Sequence, residues 1–124
     1  MDKTVFLIED DRFLREMLSQ KLIDNKISVQ VAMDGKTAIE MIKTIKPDLI
    51  LSDLLLPDVD GFEILAAIQK TPTLTGVPVL VLSNLDKLED IKKAKDLGAK
   101  DFMVKSNFTS NEIVAKVKEF LESR

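Results

Sequence analysis

The sequence predicts an α/β fold in which helices cover both faces of a parallel β-sheet. Short β-rich runs alternate with segments of helical hydrophobic spacing about five times along the 124 residues. Three of these runs, at positions 5–8, 49–51 and 79–82, are continuously apolar, as expected of strands buried on both faces. Short connections between strands and helices imply right-handed crossovers. We therefore expect a doubly wound parallel sheet, formed by one domain over residues 1–124.

The alternating elements can be placed along the chain. The predicted strands are Thr4–Ile8, Ile27–Ala32, Asp48–Ser52, Val77–Leu82 and Asp101–Val104. Each is followed by an apolar stripe whose spacing predicts an amphipathic helix. In chain order the stripes are Leu14, Met17, Leu18 and Leu22; Ala38, Ile42 and Ile45; Phe62, Leu65 and Ile68; Leu88, Ile91 and Ala94; and Ile113, Val117 and Phe120.

Several residues mark helix boundaries. Asp11 and Asp34 precede the first and second stripes, where an acidic N-cap is favoured. Thr109 and Glu112 have the spacing of a capping box. Gly98 is placed to end the fourth helix. These positions support the same order of elements.

The composition excludes several kinds of chemistry. The chain has no Cys and no His, which excludes disulfides, thiolate metal sites, histidine bases and His-based zinc sites. A net charge of −3 argues against direct nucleic-acid binding, which needs clustered Lys and Arg. No apolar stretch has the length of a membrane span, and the first apolar run is too short for a signal peptide. We expect a cytoplasmic protein.

Polar side chains that follow the predicted strands indicate where a site lies. Glu9 and Asp10 follow the first strand, Asp53 the third, Ser83 the fourth and Lys105 the fifth. In a doubly wound sheet, ligands bind at the carboxyl ends of the strands. The sequence therefore predicts a polar site at the carboxyl ends of the strands, although any one of these residues alone is unremarkable.

The three carboxylates among these residues favour a divalent cation if the first and third strands are neighbours. Two carboxylates about 4 Å apart repel by roughly 4 kcal/mol at an effective dielectric constant near 20. Oxygen ligands suit Mg²⁺ better than a soft transition metal. A cation, Lys105 and the Ser83 hydroxyl are the groups that phosphoryl transfer requires.

In this order and at these spacings, the residues resemble the receiver domain of two-component response regulators, of which the bacterial chemotaxis regulator is a compact example. The resemblance extends from Thr4 to Phe120. It rests on Glu9-Asp10, the run Asp53-Leu54-Leu55-Leu56-Pro57-Asp58-Val59-Asp60-Gly61, Ser83, and Lys105 after Gly98-Ala99-Lys100-Asp101-Phe102-Met103-Val104.

The resemblance implies a fold and a metal site. The fold is a flavodoxin-like three-layer sandwich with five helices and a five-stranded parallel sheet in the order 2-1-3-4-5. Asp53 is the implied phosphoacceptor. Glu9, Asp10, Asp53 and the backbone carbonyl of Leu55 are the implied ligands of Mg²⁺.

The resemblance also implies a switch and its partners. Lys105 would contact the phosphoryl group, while the Ser83 hydroxyl and Phe102 would respond to it. The donor would be a sensor histidine kinase or a phosphotransfer protein. The fourth helix, fifth strand and fifth helix would then bind a downstream protein target, with the domain a monomer or a phosphorylation-dependent dimer. Such a domain is a phospho-switch and not a turnover enzyme, although it assists its own phosphorylation and dephosphorylation.

Two residues depart from common receiver patterns, and two others lie at positions that affect the rate of dephosphorylation. Many receivers have a proline after the lysine, often in a cis peptide, whereas this chain has Ser106. A cis bond before a non-proline residue costs about 2.5–4 kcal/mol, so we expect a trans peptide and a different loop. Many receivers also have a small residue after the switch hydroxyl, whereas this chain has Asn84. Leu55 and Leu85 occupy positions that modulate dephosphorylation, and their apolar side chains predict a long-lived aspartyl phosphate.

Three other functions stay open at this point. The first is a degenerate receiver that regulates by binding alone. The second is a hydrolase of the haloacid-dehalogenase type, which needs an Asp-x-Asp pair where this chain has Glu9-Asp10-Asp11. The third is a flavin binder, which needs a Ser/Thr/Gly-rich phosphate loop after the first strand.

Overall fold

Five parallel strands form the central sheet of the computed structural model, which describes residues 2–123. The strands are β1 (Thr4–Ile8), β2 (Ser28–Ala32), β3 (Leu49–Ser52), β4 (Val79–Ser83) and β5 (Asp101–Val104). Their order is β2-β1-β3-β4-β5, and every neighbouring pair is parallel. The predicted doubly wound, flavodoxin-like fold and its strand order are confirmed.

Helices cover both faces of this sheet. They are α1 (Arg12–Asp24), α2 (Gly35–Met41), α3 (Gly61–Gln69), α4 (Leu88–Asp96) and α5 (Ser110–Glu122), with short 3₁₀ helices at Pro72–Leu74 and Lys105–Asn107. Buried residues of α2, α3 and α4 form one core with alternate strand residues, among them Phe6 and Val81. Buried residues of α1 and α5 form a second core with the intervening strand residues, among them Leu7 and Leu80. The strands β1, β3 and β4 are therefore buried from both sides, which explains their continuous apolar runs.

The predicted helix boundaries are observed as well. Asp11 and Asp34 cap α1 and α2 by accepting hydrogen bonds from the backbone N–H groups three residues later. Thr109 and Glu112 form the capping box of α5. Gly98 follows α4 with φ +101°. Its amide donates a hydrogen bond to the Lys95 carbonyl, and the Ala99 amide donates one to the Ala94 carbonyl. This 6→1 and 5→2 bonding pattern ends the helix and requires a residue that tolerates positive φ.

Details of the predicted elements differ from the structure. The predicted apolar stripe of the fourth helix includes Leu88, but Leu88 is the first residue of α4 and is 85% exposed. Ile45 contacts the core from beyond the turn at positions 42–44, because α2 ends at Met41. Ser83 belongs to β4 and does not follow it. Among the described residues, no helix has both the length and the apolar character that crossing a membrane requires.

Candidate phosphoacceptor site

Three carboxylates meet at the carboxyl ends of two neighbouring strands. Glu9 and Asp10 follow β1, Asp53 follows β3, and the register pairs the last residues of these strands. One carboxylate oxygen from each of the three residues lies within 4.8 Å of the other two. Glu9 and Asp53 are buried, whereas Asp10 is exposed. The cluster therefore meets solvent on the side of Asp10.

The carboxylate of Asp53 is held at both of its oxygens. Oδ1 accepts hydrogen bonds from the backbone N–H groups of Leu54 (2.7 Å) and Leu55 (3.0 Å). Oδ2 accepts one from Lys105 Nζ at 2.7 Å. The Asp53 amide in turn donates to the Ile8 carbonyl at 3.0 Å, which continues the pairing of β3 with β1. The side chain is thus fixed by neutral donors on one oxygen and by a cation on the other.

Lys105 directly follows the edge strand β5 and reaches the cluster from there. Its Nζ lies 2.9 Å from Glu9 Oε1 and 2.7 Å from Asp53 Oδ2, and its side chain is 17% exposed. Burial alone would lower the pKa of Lys105, but its hydrogen bonds to Asp53 and Glu9 outweigh burial and raise the pKa. No peptide bond among residues 2–123 is cis, so the expected trans peptide before Ser106 is observed.

The cluster carries more negative charge than Lys105 can balance. Burial, aided by the charge of Asp53, raises the pKa of Glu9 to about 7, although the hydrogen bond from Lys105 acts to lower it. Carboxylate oxygens grouped within 4.8 Å of one another are the donors that a hard divalent cation prefers. The donor set therefore fits Mg²⁺.

Two supporting contacts, made by Arg15 and Asp58, were not predicted from the sequence. Arg15 on α1 donates from Nη1 to the backbone carbonyls of Glu9 (3.1 Å) and Asp10 (3.2 Å), which fixes the chain that carries both acids. Asp58 accepts hydrogen bonds from the amides of Gly35 and Lys36, which joins the β3–α3 loop to the start of α2. These backbone hydrogen bonds lower the pKa of Asp58. No spacing in the sequence indicates either contact.

A glycine lets the β3–α3 loop fold back on itself. The amide of Gly61 donates to the Leu54 carbonyl at 3.1 Å, and Leu55 and Asp60 form an isolated antiparallel bridge. A Cβ atom at position 61 would collide with the backbone of Leu54. Gly61 therefore permits the conformation that presents two amides to Asp53.

The remaining predicted residues belong to β4, β5 and the loops that follow β3 and β4. Ser83 is fully buried, and its Oγ accepts a 3.4 Å hydrogen bond from the amide of Leu85. Phe102 is half-buried and packs against the core on the α4 side of the sheet. Leu55 is 50% exposed, Asn84 is exposed, and Leu85 is half-buried. The structure thus brings Glu9, Asp10, Asp53 and Lys105 into direct proximity and leaves Phe102 outside that group.

Comparison with known proteins identifies the family. The family model described as response regulator receiver domain matches residues 5–118 of the chain. The chain belongs to the response-regulator receiver family. Receiver domains of this family are the signalling modules of two-component systems, and the resemblance inferred from the sequence is confirmed.

Individual relatives agree with this assignment. The response regulator MprA of Mycolicibacterium vanbaalenii is 31% identical over 121 residues, which cover 98% of this chain and 51% of that protein. The chain thus spans about half the length of the curated relatives that it matches. Among solved structures, the receiver domain of the Francisella response regulator 1452 has a TM-score of 0.87 at 29% identity and 98% coverage of both chains. The Vibrio cholerae chemotaxis protein CheY4 has a TM-score of 0.88 at 26% identity, covering 97% of this receiver and 99% of that chain.

Proposed function

We propose that this receiver domain accepts a phosphoryl group on the Asp53 carboxylate and that Mg²⁺ assists the transfer. The observation that carries the proposal is the environment of Asp53, which combines two backbone amides on Oδ1, Lys105 on Oδ2 and two further carboxylates within 4.8 Å. Phosphoryl transfer depends mainly on positioning and on offsetting charge. The described residues supply both.

The transfer itself needs no base from this chain. A carboxylate oxygen of Asp53 attacks phosphorus in line as the phosphorus–nitrogen bond of a phosphohistidine breaks, and the donor imidazole keeps the electron pair and takes up a proton. The chain has no His, so the donor histidine belongs to a partner, which we take to be a sensor histidine kinase or a phosphotransfer protein. The domain is then a signalling switch that assists its own phosphorylation and dephosphorylation and turns over no separate substrate.

Glu9, Asp10, Asp53 and the backbone carbonyl of Leu55 would hold the Mg²⁺ ion. When bound, Mg²⁺ supplies positive charge to the oxygens of the phosphoryl group. Lys105 supplies a second positive charge and already contacts Asp53. Arg15 keeps Glu9 and Asp10 in place through their carbonyl groups.

The new charge would be transmitted through Ser83 and Phe102. An aspartyl phosphate carries roughly two negative charges where the Asp53 carboxylate carries one. The group expected to respond is the buried Ser83 hydroxyl, whose present partner, the Leu85 amide, is 3.4 Å away. Moving Ser83 toward the phosphoryl group would shift the β4–α4 loop, and Phe102 would move inward. The face formed by α4, β5 and α5 would change its affinity for a downstream protein target.

Phosphorylation can be tested with a small acyl-phosphate donor and Mg²⁺, followed by intact-mass measurement. The wild-type chain should gain one phosphoryl group, and Asp53→Asn should gain none. The matched control is Asp2→Asn, because Asp2 precedes β1 at the amino end of the strands, opposite the carboxyl ends where the site lies. No mass gain in the wild type would overturn the proposal in favour of a receiver that acts by binding alone. An equal gain in Asp53→Asn would assign the acceptor to another residue.

The switch requires a separate measurement. Backbone NMR spectra recorded with and without beryllofluoride should differ at Ser83, Leu85 and Phe102. Identical spectra at saturating beryllofluoride would contradict the switch while leaving phosphorylation intact.

A further inference from the structure

The outer strand β2 bonds to the sheet with only one of its two edges. The amide of Ser28 donates to the Lys3 carbonyl at 2.9 Å, and the carbonyl of Ala32 accepts from the Glu9 amide at 3.1 Å. Even-numbered residues of β2 therefore direct their backbone groups toward β1. Backbone groups of successive strand residues point to opposite sides, so those of the odd-numbered residues point away from the sheet. Within residues 2–123, no strand pairs with this outer edge.

This edge lacks the features that usually prevent two edges from pairing. The segment from Ile27 to Met33 contains no charged residue, proline or glycine. Natural edge strands are commonly protected by such residues, by bulges or by a covering element. Val31 is 40% exposed and Met33 is 58% exposed, and Gln30 is exposed on the other face of the strand. The edge is thus accessible and uncharged.

We propose that two copies of this chain associate through their β2 strands, paired antiparallel about a twofold axis at Gln30. In this register Val29 of one copy lies opposite Val31 of the other. Both residues direct their N–H and C=O groups outward, so each of the two symmetry-related pairs exchanges two backbone hydrogen bonds. Gln30 faces its own counterpart. The two sheets become one continuous sheet of ten strands, and neither β2 edge is left free.

Charges at the ends of the strand favour this partner and this direction. Lys26 precedes β2 and Asp34 follows it. Antiparallel pairing about Gln30 brings Lys26 of one copy toward Asp34 of the other at both ends of the interface, whereas parallel pairing would bring like charges together. The edge is therefore complementary to itself.

Apolar side chains beside the edge would become covered. Ile23 of α1 is 53% exposed and lines a groove between α1 and β2 together with Val31. Pairing places Val31 against Val29 of the other copy on the α1 side of the sheet, where β-branched cross-strand pairs are favourable. The interface is small, and we expect weak association with a dissociation constant in the micromolar to millimolar range. None of the residues of the phosphoacceptor site takes part.

Charge variants at the symmetry axis test the proposal. The weight-average mass from sedimentation equilibrium should rise with concentration up to about 1 mM for the wild type. Gln30→Lys and Gln30→Glu each place two like charges opposite one another and should each weaken association by roughly fivefold or more. An equimolar mixture of the two variants should recover the association, because opposite charges then meet. The control Thr73→Lys changes an exposed residue outside the edge and should behave as the wild type.

A single cysteine provides an independent readout, because the natural chain has none. Residues opposite one another in a non-hydrogen-bonded antiparallel pair have Cα atoms about 4.5 Å apart, which lies within the range of a disulfide. Gln30→Cys should therefore form a disulfide-linked dimer faster than Thr73→Cys under the same oxidant. A wild type that stays monomeric to about 1 mM, with cross-linking of both cysteine variants at equal rates, would overturn the proposal. Association that both Gln30 charge variants leave unchanged would also overturn it, because the contact would then lie elsewhere.

Discussion

Removing the exposed acid of the cluster should stabilise the domain when no metal is present. Asp10 contributes a carboxylate oxygen within 4.8 Å of those of Glu9 and Asp53. One such pair repels by about 3–4 kcal/mol at an effective dielectric constant of 20 and by less than about 1 kcal/mol in bulk water. Because Asp10 is exposed and Lys105 offsets part of the charge, screening brings the expected gain for Asp10→Asn to about 1 kcal/mol.

Urea denaturation at pH 8, low ionic strength and with EDTA is the appropriate assay, because Glu9 is then mostly ionised and salt screens little. Asp10→Asn should unfold at higher urea than the wild type, and the control Asp2→Asn should not. Added Mg²⁺ should stabilise the wild type more than Asp10→Asn, since a ligand that binds the folded state raises its stability. Equal or lower stability of Asp10→Asn in EDTA would refute the assignment of Asp10 to a repulsive metal-binding cluster.

Four further predictions concern the same site. Because the pKa of Glu9 is raised, the folded state keeps a proton that the unfolded chain releases near pH 4.5. The free energy of unfolding should therefore fall by up to about 3 kcal/mol between pH 4.5 and about 7. Urea titrations across that range should show no such fall for Glu9→Gln. Lys105→Met leaves two buried carboxylates without their cation and should lower the free energy of unfolding by about 2 kcal/mol at pH 8. Mg²⁺ should restore part of this loss, and an unchanged urea midpoint would argue against the ion pairs. Gly61→Ala forces the β3–α3 loop away from Leu54 and should cost more than about 2 kcal/mol, together with slower phosphorylation of Asp53 by the small donor. The aspartyl phosphate should persist for minutes or longer, and Leu55→Asn, which can orient water, should shorten its lifetime severalfold; loss within seconds in the wild type would contradict this.

The fold and the proximity of the three acids were predictable from the apolar runs and from the polar residues that follow them. Continuous apolar runs identified the buried strands, and the N-cap residues marked where α1, α2 and α5 begin. The residues that follow the strands could be grouped because parallel strands end at the same edge of the sheet. Glu9 and Asp53 lie together at that position, as predicted.

The features that escaped prediction depend on three-dimensional contacts. The protonation of Glu9 depends on how deeply the fold buries it. Arg15 acts through backbone carbonyls, which carry no sequence signature. Leu88 has the spacing of a core residue, but its position at the start of α4 exposes it. The unprotected edge of β2 became meaningful only when the strand order placed β2 at the edge of the sheet.

Mapping the modified residue is the most direct test of the central claim that Asp53 accepts the phosphoryl group. After phosphorylation with the small donor and Mg²⁺, borohydride reduction converts an aspartyl phosphate to homoserine, which peptide mass spectrometry can place in the sequence. We expect homoserine at position 53 in the wild type. Homoserine at Asp10 or at another acid, with position 53 unmodified, would contradict the account.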